Sequence, residues 1–126
     1  MTKILFIDDD MHTLALMEKE AEILGYQPIV CPNSGDAIQY AVIFNPDLIL
    51  IDINMQEFNG FEIVKQIRNY EQISHIPVLI LSAGDQEIEG DKSLDAGANG
   101  FLSKPLTLSA LESAVKLYVN HKINSQ

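Results

Sequence analysis

Several short apolar runs in this chain end in residues able to handle a phosphoryl group. Ile4-Leu5-Phe6-Ile7 stops at Asp8-Asp9-Asp10, Leu48-Ile49-Leu50-Ile51 at Asp52, Val78-Leu79-Ile80-Leu81 at Ser82, and Phe101-Leu102-Ser103 at Lys104-Pro105. Two unit charges of like sign about 4 Å apart repel by roughly 4 kcal/mol at an effective dielectric near 20. Acids from these strand ends, once brought together, need a counter-ion or must hold protons at neutral pH. A hard divalent cation meets that need, and Mg2+ characteristically takes carboxylates together with waters and phosphate oxygens. Lys104 adds a point charge suited to a phosphoryl group, and Ser82 adds a hydroxyl donor. Asp8, Asp9, Asp52, Ser82 and Lys104 therefore read as a Mg2+-assisted phosphoryl-transfer site in which a carboxylate can itself be the nucleophile. Singly, each has a plainer reading: an acidic pair caps a helix, a serine ends a strand in a turn, and Lys-Pro is an exposed loop. The conjunction at separate strand ends carries the argument.

The elements that must position these residues follow from the pattern of the chain. Leu48-Ile49-Leu50-Ile51 is uninterrupted aliphatic sequence, which suits a parallel strand buried on both faces at the centre of a sheet. In open α/β sheets, ligands sit in the crevice beyond the carboxyl ends of the strands, where Asp52 falls. Leu14, Met17, Ala21 and Leu24 recur at helical spacing, and Gly25 closes that helix. Tyr26 to Cys31 forms a second strand, placed at an edge by Pro28. Asn33-Ser34 caps a helix running to Phe44, with Ala37, Ile38, Ala41 and Phe44 turned inward. Asn59-Gly60 supplies a turn, and Phe61, Ile63, Val64 and Ile67 face a third helix toward the core. Asp85 to Ala96 is a poor helix, with Gly90 inside it and Ile88 and Leu94 as its large apolar residues. Thr107 caps a last helix packing through Leu108, Leu111, Val115 and Tyr118. Strands alternating with helices in this way predict an α/β fold: a doubly wound five-stranded parallel sheet with helices on both faces.

At 126 residues the chain fits one domain, expected over residues 1–122 with a polar tail at 123–126. Although 47% of its residues are hydrophobic, no run is long enough to span a membrane. Met1-Thr2-Lys3 leads straight into a short strand, unlike a signal peptide. A lone cysteine, Cys31, forms no internal disulfide, so a reduced cytoplasm is the expected location and a small buried hydrophobe the expected role. A net charge of −10 argues against binding a nucleic-acid backbone and favours a cation or basic partner. Asp10 is expected as a charge at a helix N-terminus, and His12, His75 and His121 are scattered in no ligand pattern.

In its motifs the sequence resembles the CheY-like receiver domains of response regulators, the phosphorylatable half of two-component signalling. The matching pieces are Ile7-Asp8-Asp9, Pro46 through Asp52 with Asn59-Gly60 behind it, Ile76-Pro77-Val78 through Ser82-Ala83, and Lys104-Pro105, with Asn33-Ser34-Gly35 and Asp95-Ala96-Gly97-Ala98 as further likenesses. The resemblance covers Ile4 to about Tyr118. It implies that Asp52 accepts the phosphoryl group, that Asp9 ligates Mg2+ directly and Asp8 through water, and that Asn54 offers the metal its backbone carbonyl. By the same likeness Ser82 and Lys104 bind the phosphoryl group, and Phe101 is the aromatic that turns inward when Ser82 moves. The implied donor is a sensor histidine kinase or histidine phosphotransfer protein. A downstream protein or output domain would read the face formed by residues 84–118, with no direct contact to nucleic acid or membrane. Two positions depart from the pattern: Gln56 stands after Met55 where the family often has proline, and Gly84 leaves no side chain beside the phosphoryl pocket. Both bear on rates and lifetime rather than on the chemistry.

A switch of this kind is not expected to turn over an external substrate. The alternative is a Mg2+-dependent haloacid-dehalogenase-like phosphatase, which also uses an aspartate nucleophile. Its Asp-x-Asp motif normally continues with Thr or Val, where this chain has His12, and the chain is short for the cap such enzymes often carry. A flavodoxin-like cofactor binder would need a phosphate-cradling loop after the first strand, which the sequence does not offer.

Overall fold

The apolar runs pair into a sheet that is parallel throughout. The computed structural model describes residues 1–55, 59–83, 92 and 94–119. Within them β1 (Lys3–Ile7), β2 (Gln27–Cys31), β3 (Leu48–Asp52), β4 (Val78–Ser82) and β5 (Gly100–Ser103) lie in the order β2-β1-β3-β4-β5. The helices are α1 (Met11–Ile23), α2 (Ala37–Phe44), α3 (Gly60–Asn69) and α4 (Leu108–Tyr118), and a 3-10 turn at Ser34–Asp36 leads into α2. Residues 92 and 94–96 are also helical. Most of the poor helix expected from Asp85 to Ala96, and the polar tail, lie outside the described residues.

Alternation of side chains along each strand splits the core into two layers. Leu5, Ile7, Ile49, Ile51 and Ile80 pack on one face against Ala37 and Ala41 of α2 and Ile63, Val64 and Ile67 of α3. Ile4, Phe6, Leu48, Leu50, Leu79 and Leu81 pack on the other against Leu14, Met17 and Ala21 of α1 and Leu111, Ala114 and Val115 of α4. The sheet is thus doubly wound, as its sequence pattern implies. β3 feeds both layers and all of it is buried, which is why no polar residue interrupts it before Asp52. Each fully buried aliphatic side chain contributes about 1.5–3 kcal/mol of transfer free energy. That anchorage holds the strand ends rigid beneath the crevice. Pro28 does fall on an edge strand.

Three local expectations change. Phe44 is 39% exposed: it is the last residue of α2, ahead of the left-handed Asn45 (φ 46°), and it stands 5.7 Å from Tyr40 ring to ring while Ala37 and Ala41 take the core-facing stripe. Leu108, at the first position of α4, is also 39% exposed, and Ala114 occupies the core beside Leu111 and Val115. Asn59-Gly60 forms a helix start instead of a free turn, because the Asn59 side chain accepts a hydrogen bond from the Glu62 amide at 3.0 Å. Gly60 is then required for space. A Cβ there would sit 2.7 Å from the Asp52 carbonyl oxygen and 2.9 Å from the Ile53 Cα.

Candidate functional site

Strand register brings the acids together. Ile7 is paired with Ile51, so the next residues, Asp8 and Asp52, emerge side by side from neighbouring strands about 4.8 Å apart. The consecutive acids after β1 then diverge in use. Asp8 is fully buried, and its Oδ1 accepts from the Asp10 amide at 2.9 Å. Asp9 is exposed at the mouth of the crevice. Asp10 is the N-cap of α1, accepting from the His12 amide at 3.0 Å and the Thr13 hydroxyl at 2.9 Å, which satisfies orphan donors at the helix start. Carboxylate oxygens of Asp8, Asp9 and Asp52 lie within 4.8 Å of one another.

Lys104 arrives from the end of β5, whose Ser103 pairs with Ser82. Its ammonium stands 3.1 Å from Asp8 Oδ2 and 3.4 Å from Asp52 Oδ1. Ser82, 1% exposed, is the last residue of β4. The Asn54 amide donates to Asp52 Oδ1 at 3.4 Å, which fixes the loop after β3 close to the acid. Phe101 is half-buried and packs against the α2–α3 side of the core. Asp8, Asp9, Asp52, Ser82, Lys104 and Asn54 thus converge at the carboxyl ends of β1, β3, β4 and β5, while Phe101 stands off at the second layer.

The electrostatics follow from burial. Desolvation, and then the negative charge of Asp8, push the Asp52 carboxyl above its ordinary range, while Lys104 and the Asn54 amide pull against that rise. Burial works to lower the Lys104 ammonium, but Asp52 and Asp8 outweigh it and hold the lysine above its usual value. Among the described residues, Lys104 is thus shared by two dry carboxylates, with a third at the rim. An all-oxygen donor set with surplus negative charge suits a hard divalent ion. Cys31 is fully buried, burial pushes its thiol up to about 11, and its Sγ donates to the Asn33 carbonyl. His12 and His75 are exposed, and His121 lies outside the described residues.

Sequence reasoning missed two features of the site. It assigned Lys104 to an incoming phosphoryl group, whereas here the lysine is also the counter-ion that lets Asp8 be buried. The signal available was charge balance: a buried acid beside a second acid requires a cation within reach. It also read Gly60 as a turn residue, although the backbone it touches belongs to Asp52 and Ile53.

A family model described as the response regulator receiver domain matches residues 4–116, and the chain belongs to that family. Among similar proteins, the alkaline phosphatase synthesis transcriptional regulatory protein PhoP of Bacillus subtilis is 32% identical over 114 residues, which are 90% of this chain but 47% of that protein. The chain thus spans about half of PhoP. The polar-differentiation response regulator DivK of Brucella ovis is 28% identical over 120 residues, 94% of this chain and 98% of DivK. The structure of the Vibrio cholerae chemotaxis protein CheY4 superposes with a TM-score of 0.87 at 26% identity, covering 94% of this chain and 98% of that one. The chain is accordingly a CheY-like receiver domain of two-component signalling, a phospho-accepting switch, and the phosphatase alternative falls away. Members of the family act between histidine kinases and downstream effectors.

Proposed function

We propose that Asp52 is the phospho-acceptor, taking a phosphoryl group from a phosphohistidine on a sensor kinase or a histidine phosphotransfer protein. A single observation carries this: Asp52 is a buried carboxylate of the acid cluster at the end of the middle strand of the sheet, with Lys104 Nζ 3.4 Å from its Oδ1. The reaction moves one phosphoryl group. A lone pair on an Asp52 oxygen forms the new P–O bond as the P–N bond breaks, and that bond's electrons remain on the imidazole nitrogen. Asp8, Asp9, Asp52 and the Asn54 carbonyl would hold Mg2+, which supplies charge neutralisation for the incoming phosphoryl oxygens. Lys104 holds a positive charge where those oxygens arrive, and the Ser82 hydroxyl donates to one of them. Asp52 itself is 4% exposed, which limits the bulk water that reaches the reacting oxygen.

Charge added at Asp52 draws Ser82 toward it and vacates space for Phe101 to turn inward. Residues 84–118 then form the face read by a downstream protein or output domain, through a shift in a pre-existing equilibrium. This is a stoichiometric switch in the cytoplasm with no turnover of an external substrate. Among the described residues no helix is long and apolar enough to cross a membrane. The test is intact-mass measurement with Mg2+ and acetyl phosphate on the wild type and on Asp52→Asn. One added phosphoryl group on the wild type alone is expected, and it should vanish on chelation. Equal labelling of both proteins would sink the assignment.

A further inference from the structure

Lys104 reaches the carboxylates only if β5 lies in one register, and burial of Phe101 and Leu102 does little to enforce it. The strand is at the sheet edge, pairing only with β4. Its residues are half-buried or exposed, with none fully buried. Phe101 packs on one core layer and Leu102 on the other. A slip of one residue would exchange Phe101 and Leu102 between similar half-buried settings at little cost in burial, yet it turns every side chain to the opposite face; what opposes it sits at the start of the strand, where a Cβ on Gly100 would meet the Tyr118 hydroxyl at 2.7 Å. Main-chain ladder bonds do not discriminate either, because each register offers the same amides and carbonyls. The same slip would swing Lys104 away from Asp8 and Asp52.

Register is specified at the other end of the strand. Asn99 donates its amide to the Val78 carbonyl at 2.8 Å, and its side-chain Oδ1 accepts from the Val78 amide at 2.9 Å. That Oδ1 also accepts from Arg68 Nη2 at 2.8 Å. The rest of the guanidinium is fully engaged with main chain: Nε donates to the Gly97 carbonyl at 2.7 Å, and Nη1 to the Ser74 and Ile76 carbonyls at 2.9 and 2.8 Å. Tyr118 donates its hydroxyl to the Asn99 carbonyl at 3.3 Å. Gly97, at φ +105°, would place a Cβ 2.8 Å from Arg68 Cγ, so the turn is shaped around the arginine. A side-chain acceptor answering one particular amide is unique to one register, unlike the ladder.

We propose that Asn99, clasped by Arg68, is a positioning residue for Lys104: it fixes the register of β5 and so delivers the ammonium to Asp8 and Asp52 from about 16 Å away along the strand. This rests on the reading of Asp52 as acceptor, and it adds residues that touch neither metal nor phosphoryl group.

The test is the initial rate of Asp52 labelling by acetyl phosphate with Mg2+ in Asn99→Ala, Asn99→Asp, Lys104→Ala and the Asn99→Ala/Lys104→Ala double variant. Asn99→Ala should slow labelling on the order of 10- to 100-fold, the cost of misplacing a reacting group by an ångström or more. Asn99→Asp retains the acceptor oxygen and should label close to wild type. In the Lys104→Ala background the Asn99→Ala substitution should add nothing, because the group it positions is gone. Wild-type labelling by Asn99→Ala overturns the proposal, as does an undiminished effect in the double variant, which a general loss of stability would produce. A second arm reads the register directly. The Lys104 amide donates to the Ser82 carbonyl at 3.0 Å, and its hydrogen-exchange protection should fall in Asn99→Ala while the β3 amides stay protected; unchanged protection overturns the proposal. A wild type that takes no label on Asp52 refutes the acceptor reading, and the exchange arm still decides the register.

Discussion

Removing the Lys104 ammonium should reveal how much of the fold's stability is tied up in its own functional site. The ion pairs at 3.1 and 3.4 Å each correspond to about 5 kcal/mol at an effective dielectric near 20. Asp8 and Asp52, with oxygens no more than 4.8 Å apart, repel by about 3.5 kcal/mol on the same scale. Desolvation of the lysine, whose side chain is 22% exposed, offsets much of the attraction. The net loss in Lys104→Ala is then about 3 kcal/mol, the usual cost of leaving a buried charge unpaired. For a domain of this size that lowers Tm by about 11 °C. The control is Lys116→Ala, whose pair with Glu112 at 4.0 Å lies in solvent and should cost less than about 1 kcal/mol.

The pH dependence has a definite sign. Asp52 is held above the ordinary carboxylate value of 3.8, so its folded form binds a proton more tightly than its unfolded form. The stability that proton contributes is present below 3.8 and is lost as pH rises through the elevated value. Without Lys104 the elevation grows, so Lys104→Ala in metal-free buffer should recover part of its lost Tm on going from about pH 7 to about pH 5. Asp52→Asn in the same background should recover it at neutral pH. Mg2+ at ten times its Kd should restore about 1.4 kcal/mol. Thermal unfolding followed by circular dichroism reads all of these. If Lys104→Ala melts with the wild type near neutral pH, or its deficit does not change with acid, the shared-cation account of the site is wrong.

Three further outcomes follow from individual residues. Asp9→Ala should weaken Mg2+ binding while sparing stability, whereas Asp10→Ala should lose the α1 cap at a cost of about 1 kcal/mol and keep its Mg2+ affinity; a titration calorimeter and a urea melt separate them, and the reverse pattern would put the acidic run one residue out of register. Gly60→Ala, forced against the Asp52 carbonyl, should lose about 1–3 kcal/mol in urea denaturation and also weaken Mg2+ binding; a variant as stable as wild type would contradict the close approach. Cys31, with its thiol pushed up to about 11, should resist iodoacetamide at mildly alkaline pH until the protein unfolds, and rapid native alkylation would show that the residue is not buried.

What could be read from the sequence was whatever one residue type in one local pattern determines. The aliphatic run ahead of Asp52 reads as a doubly covered central strand, and Pro28 points β2 to a sheet edge. Strand ends pointed to the acids that could meet; the register that sets Ile7 beside Ile51, and hence Asp8 beside Asp52, belongs to the folded sheet. Hidden from that reading was anything decided between distant segments. Phe44 looks like core by spacing, but the chain turns off at Asn45 before its ring can reach the sheet. Gly60 looks like a turn residue because the backbone it must clear belongs to another element. Nothing local in the sequence marks Arg68, yet its guanidinium meets carbonyls up to about thirty residues away in sequence.

The same distinction explains why the crevice is built from strand ends but tuned from elsewhere. β1 and β3 are central, dry and uninterrupted, so the positions of Asp8 and Asp52 are fixed by the bulk of the core and resist single substitutions. β5 is short, lies at an edge and is half-exposed, so the position of Lys104 depends on a few polar contacts at the opposite end of the sheet. A carboxylate pair held by the core thus faces a cation held by a few contacts of an edge strand. A weakly held side is also where local opening is least costly. The division of labour between the two edges of the site thus follows from burial: the acids sit where the core is deepest, and the lysine is carried by the strand where that core is thinnest.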